Sequence, residues 1–372
     1  MDSRCERLTI VSGIKGIGAV MVILIHYVAA MLPAMWSGDF SQIHIGWIEK
    51  LVYKTPLYFF MNGSFAVYLF WTISAFLISY SWYQHHDTRD MVKKALNKYL
   101  KFIMIAAATS FVAFMLLKGG YIKNQELAQY THSEWLGYTY NFEPSIRSLV
   151  KEIFYGIWFD TAKYNPPLWT MKLEFLGSLW TILLLELFGD LKKRYLLWSI
   201  CAVFSVLYCP QYICFILGIV IADMFVLGKR INCVLADTLI LAGILAGGYN
   251  WIYEEHMGMT VNRLVVWSLA SGCILFGTFS SKIFQRLMRM HFCQFVGEIS
   301  LYLYVTHFIV LCSFSAIVFI KCLKNGFNYL TALGITWLSG MAVTVLISVL
   351  LKKYFEPWNK RACERVLGWL LK

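Results

Sequence analysis

Two histidines lie inside long apolar runs of this chain and are its first candidates for chemistry. His26 follows the run GAVMVILI, and His307 lies within LYLYVTHFIVL. An ionisable side chain at membrane depth is costly unless it faces the protein interior or water, so it marks a candidate functional site. An imidazole can remove a proton from a hydroxyl or carry an acyl group. The alternative is a core histidine that is hydrogen-bonded to a neighbouring helix.

A lysine shares the predicted helix of the first histidine. Lys15 precedes His26 by eleven residues. In an α-helix this spacing lies about 20° from three full turns and about 16 Å along the axis, so both side chains project from one face. A cation near one membrane surface and an imidazole far along the same stripe predict a long ligand that enters from the Lys15 side.

Polar residues on two further spans fall at the predicted depth of His26. Glu174 follows the Pro166-Pro167 turn at a depth of about 10 Å if its helix begins at that turn. His307 lies near the middle of its own span. Three titratable groups at one level of three helices predict a shared catalytic site. A structural pair of Glu174 with a lysine or a tyrosine is the alternative.

Candidate substrate contacts lie close to these groups in the sequence. Ser300 and Tyr304 precede His307 by seven and three residues, so the three share a helix face. Tyr304 could orient the His307 ring or bind a sugar, and a packing role fits equally well. Trp169, beside the Pro-Pro turn, could stack on a sugar. Ser300, Tyr304 and Trp169 are therefore the candidate substrate-binding residues.

Composition places all of these residues in a membrane protein. Apolar residues make up 59% of the chain and charged residues 15%, whereas soluble domains carry about 25% charged residues. We predict an all-α, polytopic integral membrane protein with a single transmembrane domain over residues 1–372. The ten predicted spans are 10–34, 57–83, 101–118, 167–188, 195–209, 212–227, 234–252, 262–280, 294–319 and 329–351. Spans five and six are predicted to form a tight hairpin, with a single broken helix as the alternative.

The basic residues predict the orientation of these spans. With the N-terminus in the cytoplasm, the inner connections hold roughly twice as many lysines and arginines as the outer ones, which is the bias of cytoplasmic loops. Both termini are therefore expected in the cytoplasm, and the long connection 119–166 is expected outside, where short helices could cover a site. The same distribution accounts for the net charge of +12 better than nucleic-acid binding does.

Two further classes of site are not expected. Half of the ten cysteines lie inside apolar spans, and no Cys-x-x-Cys or Cys/His ligand spacing occurs. The sequence therefore predicts neither a disulfide framework nor a metal site.

Lys98 and Lys101, in contrast, belong to a basic inner segment. This segment either determines topology or attracts phosphates to the mouth of a site.

Six short motifs occur in an order that resembles the membrane acyltransferase 3 family, the O-acyltransferases of bacterial surface polysaccharides. They are KGIGAVMVILIH from Lys15 to His26, FWTISAFLI from Phe70 to Ile78, Lys98-Tyr99-Leu100-Lys101, WTMKLE from Trp169 to Glu174, SLYLYVTH from Ser300 to His307, and Phe355-Glu356-Pro357. Lysine stands at positions 15, 98 and 101 where the family has arginine, and Ala75 replaces a glycine. A lysine keeps the charge but loses the bidentate fork of arginine.

The resemblance implies an O-acetyltransferase that takes an acetyl group from cytoplasmic acetyl-CoA. The acceptor would be a hydroxyl of a cell-surface glycan (capsule, lipopolysaccharide or exopolysaccharide) or of its lipid-linked precursor, at the bacterial cytoplasmic membrane. Lys15, Lys98 and Lys101 would hold the CoA phosphates. His26 would act as a general base or transient acyl carrier, Glu174 would orient or deprotonate it, and His307 would serve the acceptor side.

Alternatives from other functional classes remain open at this point. A transporter or flippase of lipid-linked glycans could use the buried histidines as a proton relay, although no paired inverted repeats support it. An inactive scaffold subunit of a glycan-assembly complex is a further alternative. A second copy of the chain or glycan-assembly proteins could be partners. Some family members carry a C-terminal esterase-like domain, which this chain is expected to lack.

Overall fold

Helices account for all the regular structure in the residues that the computed structural model describes, 3–250 and 262–370. Eleven of them have 14 or more residues: α1 Ser3–Met31, α2 Gly63–His85, α3 Thr88–Lys118, α4 Thr170–Phe188, α5 Arg194–Tyr208, α6 Ile213–Val226, α7 Cys233–Gly247, α8 Arg263–Thr278, α9 His291–Val310, α10 Tyr329–Leu350 and α11 Glu356–Leu370. The predicted all-α class is confirmed.

Short helical segments connect the long ones. The α-helical segments are Pro33–Ser37, Trp47–Lys54, Asn124–Thr131, Glu134–Tyr138, Ile146–Lys151, Ile157–Phe159, Lys282–Met288 and Ala316–Lys324. Turns of 3₁₀-helix cover Phe40–Gln42, Pro56–Met61, Pro166–Trp169 and Pro210–Tyr212. Wider π-helical turns cover Glu152–Gly156, Leu311–Ser315 and Leu351–Phe355.

Each predicted span overlaps one of the helices α1 to α10, but not all of these helices are long and apolar enough to cross a bilayer. Within residues 3–250 and 262–370, five segments are: Thr9–Met31, Gly63–His85, Thr88–Lys118, His291–Lys324 and Tyr329–Trp369. Helix α8 and Lys282–Met288, bent by 93°, could together form one more, and α5 to α7 are shorter apolar helices. The count of ten crossings and the location of the termini stay predictions. The last two residues of predicted span 234–252 lie outside the described residues.

The chain forms two compact units. The first contains Met1–Met21, Thr55–Leu96 and Leu173–Glu298, and the second contains Val22–Lys54, Asn97–Lys172 and Ile299–Lys372. Helices α1, α3, α4 and α9 each contribute to both.

Small residues allow close helix packing in the first unit. A Cβ added to Gly218 of α6 would lie 2.5 Å from the Ala75 Cβ of α2, and one added to Gly16 of α1 would lie 2.7 Å from the Gly297 nitrogen of α9. Because glycine has no Cβ, the backbones of these helices can approach closely, as in many membrane helix pairs. Substitution at Gly16 or Gly218 would force these helices apart.

Helices α5 and α6 form the predicted hairpin, joined by Pro210–Tyr212. Proline at the start of this turn fixes its own φ and cannot donate a hydrogen bond to α5, so it separates the two helices. Arg194 at the start of α5 donates two hydrogen bonds to Asp223 near the end of α6, at 2.8 and 3.1 Å. Trp198, Ile216 and Ile219 belong to one buried cluster.

Residues of α1 and α10 pack in the second unit against the π-helical turn Leu311–Ser315. The Tyr27 hydroxyl lies 2.8 Å from Ser315 Oγ, and a Cβ on Gly340 would lie 2.4 Å from that hydroxyl. A π-helical turn alters the regular pairing of main-chain carbonyls, and such turns often occur near functional sites. In this turn, the Cys312 carbonyl accepts the Lys123 N–H at 2.7 Å. This hydrogen bond attaches the long connection 119–166 to the turn.

The long connection 119–166 folds into short helices of the second unit, and polar contacts hold them against α1 and α9. Ser133 donates to the Ala29 carbonyl at 2.7 Å, and Asn165 donates to the Val305 carbonyl at 2.8 Å. The buried Glu152 carboxylate accepts the N–H groups of Lys163 and Tyr164 at 2.8 Å each. Burial raises the pKa of Glu152, and these hydrogen bonds oppose that shift. The connection is therefore an ordered part of the fold.

Candidate active site

The two histidines singled out by the sequence meet in the second unit. His307 Nε2 lies 3.2 Å from His26 Nδ1, and the ring centroids are 4.8 Å apart. His307 is completely buried, whereas His26 is half-buried. The structure therefore brings these two predicted residues into contact, and their shared catalytic role stays a prediction. His26 is accessible to a ligand, whereas His307 lies behind the His26 ring.

Main-chain carbonyls determine which ring nitrogen of each histidine carries a proton. His26 Nδ1 lies 2.6 Å from the Val22 carbonyl, and His307 Nδ1 lies 3.0 Å from the Leu303 carbonyl. A carbonyl oxygen can only accept, so both Nδ1 atoms donate. His307 Nε2 then keeps its lone pair and accepts from the same His26 N–H. In this tautomer His26 Nε2 has a free lone pair and no hydrogen bond to any described residue.

Aromatic rings enclose the accessible histidine. Trp135 and Phe308 lie with ring centroids 5.7 and 5.4 Å from the His26 centroid, and 5.8 Å from each other. Trp135 comes from the long connection, so this segment does cover the histidine, as its length and composition suggested. An apolar enclosure limits the access of water to His26 and strengthens electrostatic interactions there.

The predicted substrate-binding residues fall on the same unit but differ in accessibility. The Tyr304 hydroxyl donates to the Pro167 carbonyl at 2.7 Å and lies 2.8 Å from Thr170 Oγ1, which holds the Pro-Pro turn against α9. Its ring centroid lies 6.1 Å from that of His307. Trp169 is exposed, and Ser300 is half-buried one turn before Tyr304. This geometry favours a positioning role for Tyr304, while the roles of Trp169 and Ser300 stay predictions.

A basic group in the second unit surrounds one carboxylate. Lys101 and Lys352 Nζ lie 3.7 and 2.9 Å from the two oxygens of Glu356. Lys98 lies one turn before Lys101 on α3, with its amine 5.7 Å from the centroid of the Phe102 ring. Glu356 meets two lysines with a single carboxylate, so this part of the unit retains positive charge suited to phosphates. Glu356 belongs to the last of the six motifs, and its contact with Lys101 joins two motifs distant in sequence.

Lys15 and Glu174 belong to the first unit. Lys15 is half-buried in α1, and Glu174 is half-buried in α4, where Ser178 donates to its main-chain carbonyl at 2.6 Å. Helix α1 is continuous from Ser3 to Met31, so Lys15 and His26 do lie on one helix, as predicted. The proposed actions of Lys15 on a phosphate and of Glu174 on His26 stay predictions.

Sequence reasoning missed several contributors to this site. The candidates did not include Trp135, Phe308, Lys352 or the main-chain carbonyls of Val22 and Leu303. The aromatic content of residues 119–166 was a signal for Trp135, and Lys352 lies four residues before Glu356, a spacing that favours a helical ion pair. No feature of the sequence indicated the two carbonyls, because the orientation of each histidine side chain within its helix decides which carbonyl it contacts.

The comparison with protein families agrees with the geometry. Residues 9–353 match the acyltransferase 3 family model, which is described as an acyltransferase domain. A search of curated proteins and a search of solved structures each found no significant match. The match extends over nearly the whole described chain and includes both histidines and the basic group. This chain therefore belongs to the acyltransferase 3 family and is a membrane acyltransferase.

Proposed function

We propose that the chain is an O-acetyltransferase of the bacterial cytoplasmic membrane, which moves an acetyl group from cytoplasmic acetyl-CoA to a hydroxyl of a cell-surface glycan or its lipid-linked precursor. The observation that carries this proposal is the His26–His307 pair in a chain of an acyltransferase family. Its tautomer leaves a basic nitrogen on the accessible histidine, which is what the activation of a hydroxyl requires.

In the proposed reaction His26 Nε2 removes the proton of the acceptor hydroxyl while the hydroxyl oxygen attacks the thioester carbonyl carbon. The new C–O bond forms, the C–S bond breaks, and the electron pair leaves with the sulfur. The imidazolium then returns its proton to the thiolate, so the products are the acetyl ester and free CoA. His307 accepts from His26 Nδ1–H throughout and keeps the ring oriented.

The donor is assigned to the basic group on chemical grounds. CoA carries several phosphate charges, and Lys101 and Lys352 both contact the single carboxylate of Glu356, with Lys98 one turn before Lys101 on α3. Lys15 would add a further cation on α1. The distance of about 16 Å along α1 between Lys15 and His26 suits a long, thin ligand whose charged end and reactive end must be held apart.

Two measurements test this function. The purified protein should release CoA from acetyl-CoA, and this release should require His26. Mass spectrometry of surface glycan from cells with and without the gene should find an O-acetyl group only when the gene is present. A protein that binds acetyl-CoA without releasing CoA would favour the scaffold alternative. Normal glycan export without any acetyl difference would contradict the proposed reaction.

A further inference from the structure

A groove of about 940 Å³ opens in the second unit between residues 33–42 and the helices of residues 125–141. Its volume falls at the upper end of the range of about 300–1,000 Å³ that is usual for ligand sites. None of the residues predicted from the sequence to bind substrate lines it. We propose that this groove binds the acceptor as an uncharged stretch of sugar chain and presents one of its hydroxyls to His26. This inference rests on the proposed function.

The polar lining of the groove suits hydroxyl groups. Four carboxamide side chains line it, those of Gln42, Gln125, Gln129 and Asn141. None of the four makes a side-chain hydrogen bond within the part of the chain that the structure describes. A carboxamide offers both donors and acceptors, which is the combination that a sugar hydroxyl can use on both sides. These groups are therefore available to a ligand without breaking an internal bond.

The carboxylates that line the groove disfavour binding of the phosphate groups of acetyl-CoA there. Asp39 and Glu134 line the groove, and no lysine or arginine is among its lining residues in the described chain. The Ser41 N–H donates to Asp39, which lowers the pKa of that carboxyl, so it is ionised at neutral pH. A negative groove repels phosphates, whereas the group around Glu356 attracts them. The two ligands are thus assigned to chemically different places.

Aromatic rings connect the groove with the histidine. Trp36 and Trp135 both line the groove with centroids 5.9 Å apart, and Trp135 also packs on His26. Indole faces are suited to the apolar faces of sugar rings. Ser133, another lining residue, donates to the Ala29 carbonyl three residues after His26. The wall of the groove is therefore attached directly to the helix that carries the base.

The test compares two exposed tryptophans of the connection between α1 and α2. Trp36 lines the groove, whereas Trp47, which is 69% exposed, does not. Trp36→Ala should lower O-acetylation of surface glycan in cells about tenfold, and Trp36→Phe should keep most of it because an aromatic face remains. Gln129→Ala, on the opposite wall, should also lower acetylation. Trp47→Ala should acetylate as the wild type does.

Binding of acetyl-CoA to each purified variant, measured by equilibrium dialysis, separates the acceptor site from the donor site and from misfolding. We expect an unchanged Kd for acetyl-CoA in every variant. Full glycan acetylation by both Trp36→Ala and Gln129→Ala would overturn the groove assignment alone, as would an equal loss in Trp47→Ala. A wild-type protein that neither binds acetyl-CoA nor acetylates glycan would overturn the proposed function, and the groove assignment with it.

Discussion

Among the polar pairs that join helices in the described part of the chain, Arg194–Asp223 and His26–His307 differ in what they leave available. Arg194 and Asp223 carry opposite charges and meet through two hydrogen bonds, with the Asp223 side chain 2% exposed. His26 and His307 meet through one contact of 3.2 Å. The first pair satisfies both of its members. The second leaves one nitrogen of the half-buried member without a hydrogen bond among the described residues.

The difference teaches how to separate structural from functional polar residues among the packed helices of a membrane protein. A bidentate ion pair satisfies its own charge, and its main contribution is to fix the register of the α5–α6 hairpin. A histidine pair without a carboxylate gains much less from its own contact. Its geometry instead orients one ring, which is the arrangement that a proton transfer needs. The predictions below test this distinction, from the largest expected effect to the smallest.

Removal of the accessible histidine should abolish the chemistry and leave the fold intact. His26→Ala should lower the rate of acetyl transfer by about 10²–10⁴-fold, the usual contribution of a general base. Expression and membrane insertion should match the wild type, because the lost ring is half-buried rather than part of an ion pair. His291→Ala, at an exposed histidine of α9, is the control and should be fully active. Near wild-type transfer by His26→Ala would refute the assignment.

Disruption of the ion pair should have the opposite result. Asp223→Ala leaves the Arg194 charge without its partner, which costs about 3 kcal/mol, the low end of the range for buried pairs, since Arg194 keeps some access to water. We expect a clear fall in the thermal unfolding midpoint of the purified protein. Asp190→Ala, at an exposed aspartate, should leave the midpoint unchanged. If Asp223→Ala lost acetyl transfer while its unfolding midpoint stayed unchanged, Asp223 would have a functional role. The distinction between the two pairs would then be wrong.

The buried histidine should act through its neighbour. His307→Leu removes the acceptor of the His26 Nδ1–H and should lower kcat about 10–100-fold, as losses of orienting partners commonly do. The KM values for both substrates should change little, because His307 is completely buried. His307→Gln offers an amide oxygen as acceptor and should recover part of the rate. A large rise in acceptor KM would instead support direct contact between His307 and the acceptor.

The charge of Lys15 should matter for the donor only. Lys15→Gln should raise the KM for acetyl-CoA, because a hydrogen bond to a charged group contributes about 1.5–3 kcal/mol. Lys15→Arg should preserve or improve activity, since a guanidinium can bind phosphate in a bidentate manner. The acceptor KM should stay unchanged in both. Lys192→Gln, at an exposed lysine, provides the control. An acceptor-specific defect in Lys15→Gln would reverse the assignment of donor and acceptor ends.

The smallest effect is expected at an exposed ion pair on the long connection. The Lys324 amine donates to Glu126 at 2.9 Å and lowers the pKa of that carboxyl. The pair therefore contributes stability above the unfolded pKa of Glu126, and the contribution is lost as the pH falls through its lower folded value. Because both side chains reach water, Glu126→Gln should not measurably change the unfolding midpoint at pH 7. A marked fall there would mean that the connection depends on this pair.

Much of the fold was predictable because the bilayer imposes simple rules on the chain. Long apolar runs must form helices to satisfy their backbone groups, so each of the ten predicted spans overlaps a helix. Helix α4 shows the limit of this reasoning. It carries Lys172, Glu174 and Glu186 and is absent from the segments that are apolar enough to span by composition. The break at Pro210 was equally readable, since proline cannot continue the hydrogen bonding of α5.

The sequence by itself determined the helical class, the candidate histidines, the candidate basic residues and the resemblance to an acyltransferase family, because these depend on residue type and local spacing. Only the tertiary structure decided that His307 lies behind His26, that Trp135 covers that ring and that Lys101 meets Glu356. These contacts join residues far apart in the sequence, and helical spacing cannot specify which face of one helix meets another. Side-chain packing between helices selects those faces, and with them the geometry of the site.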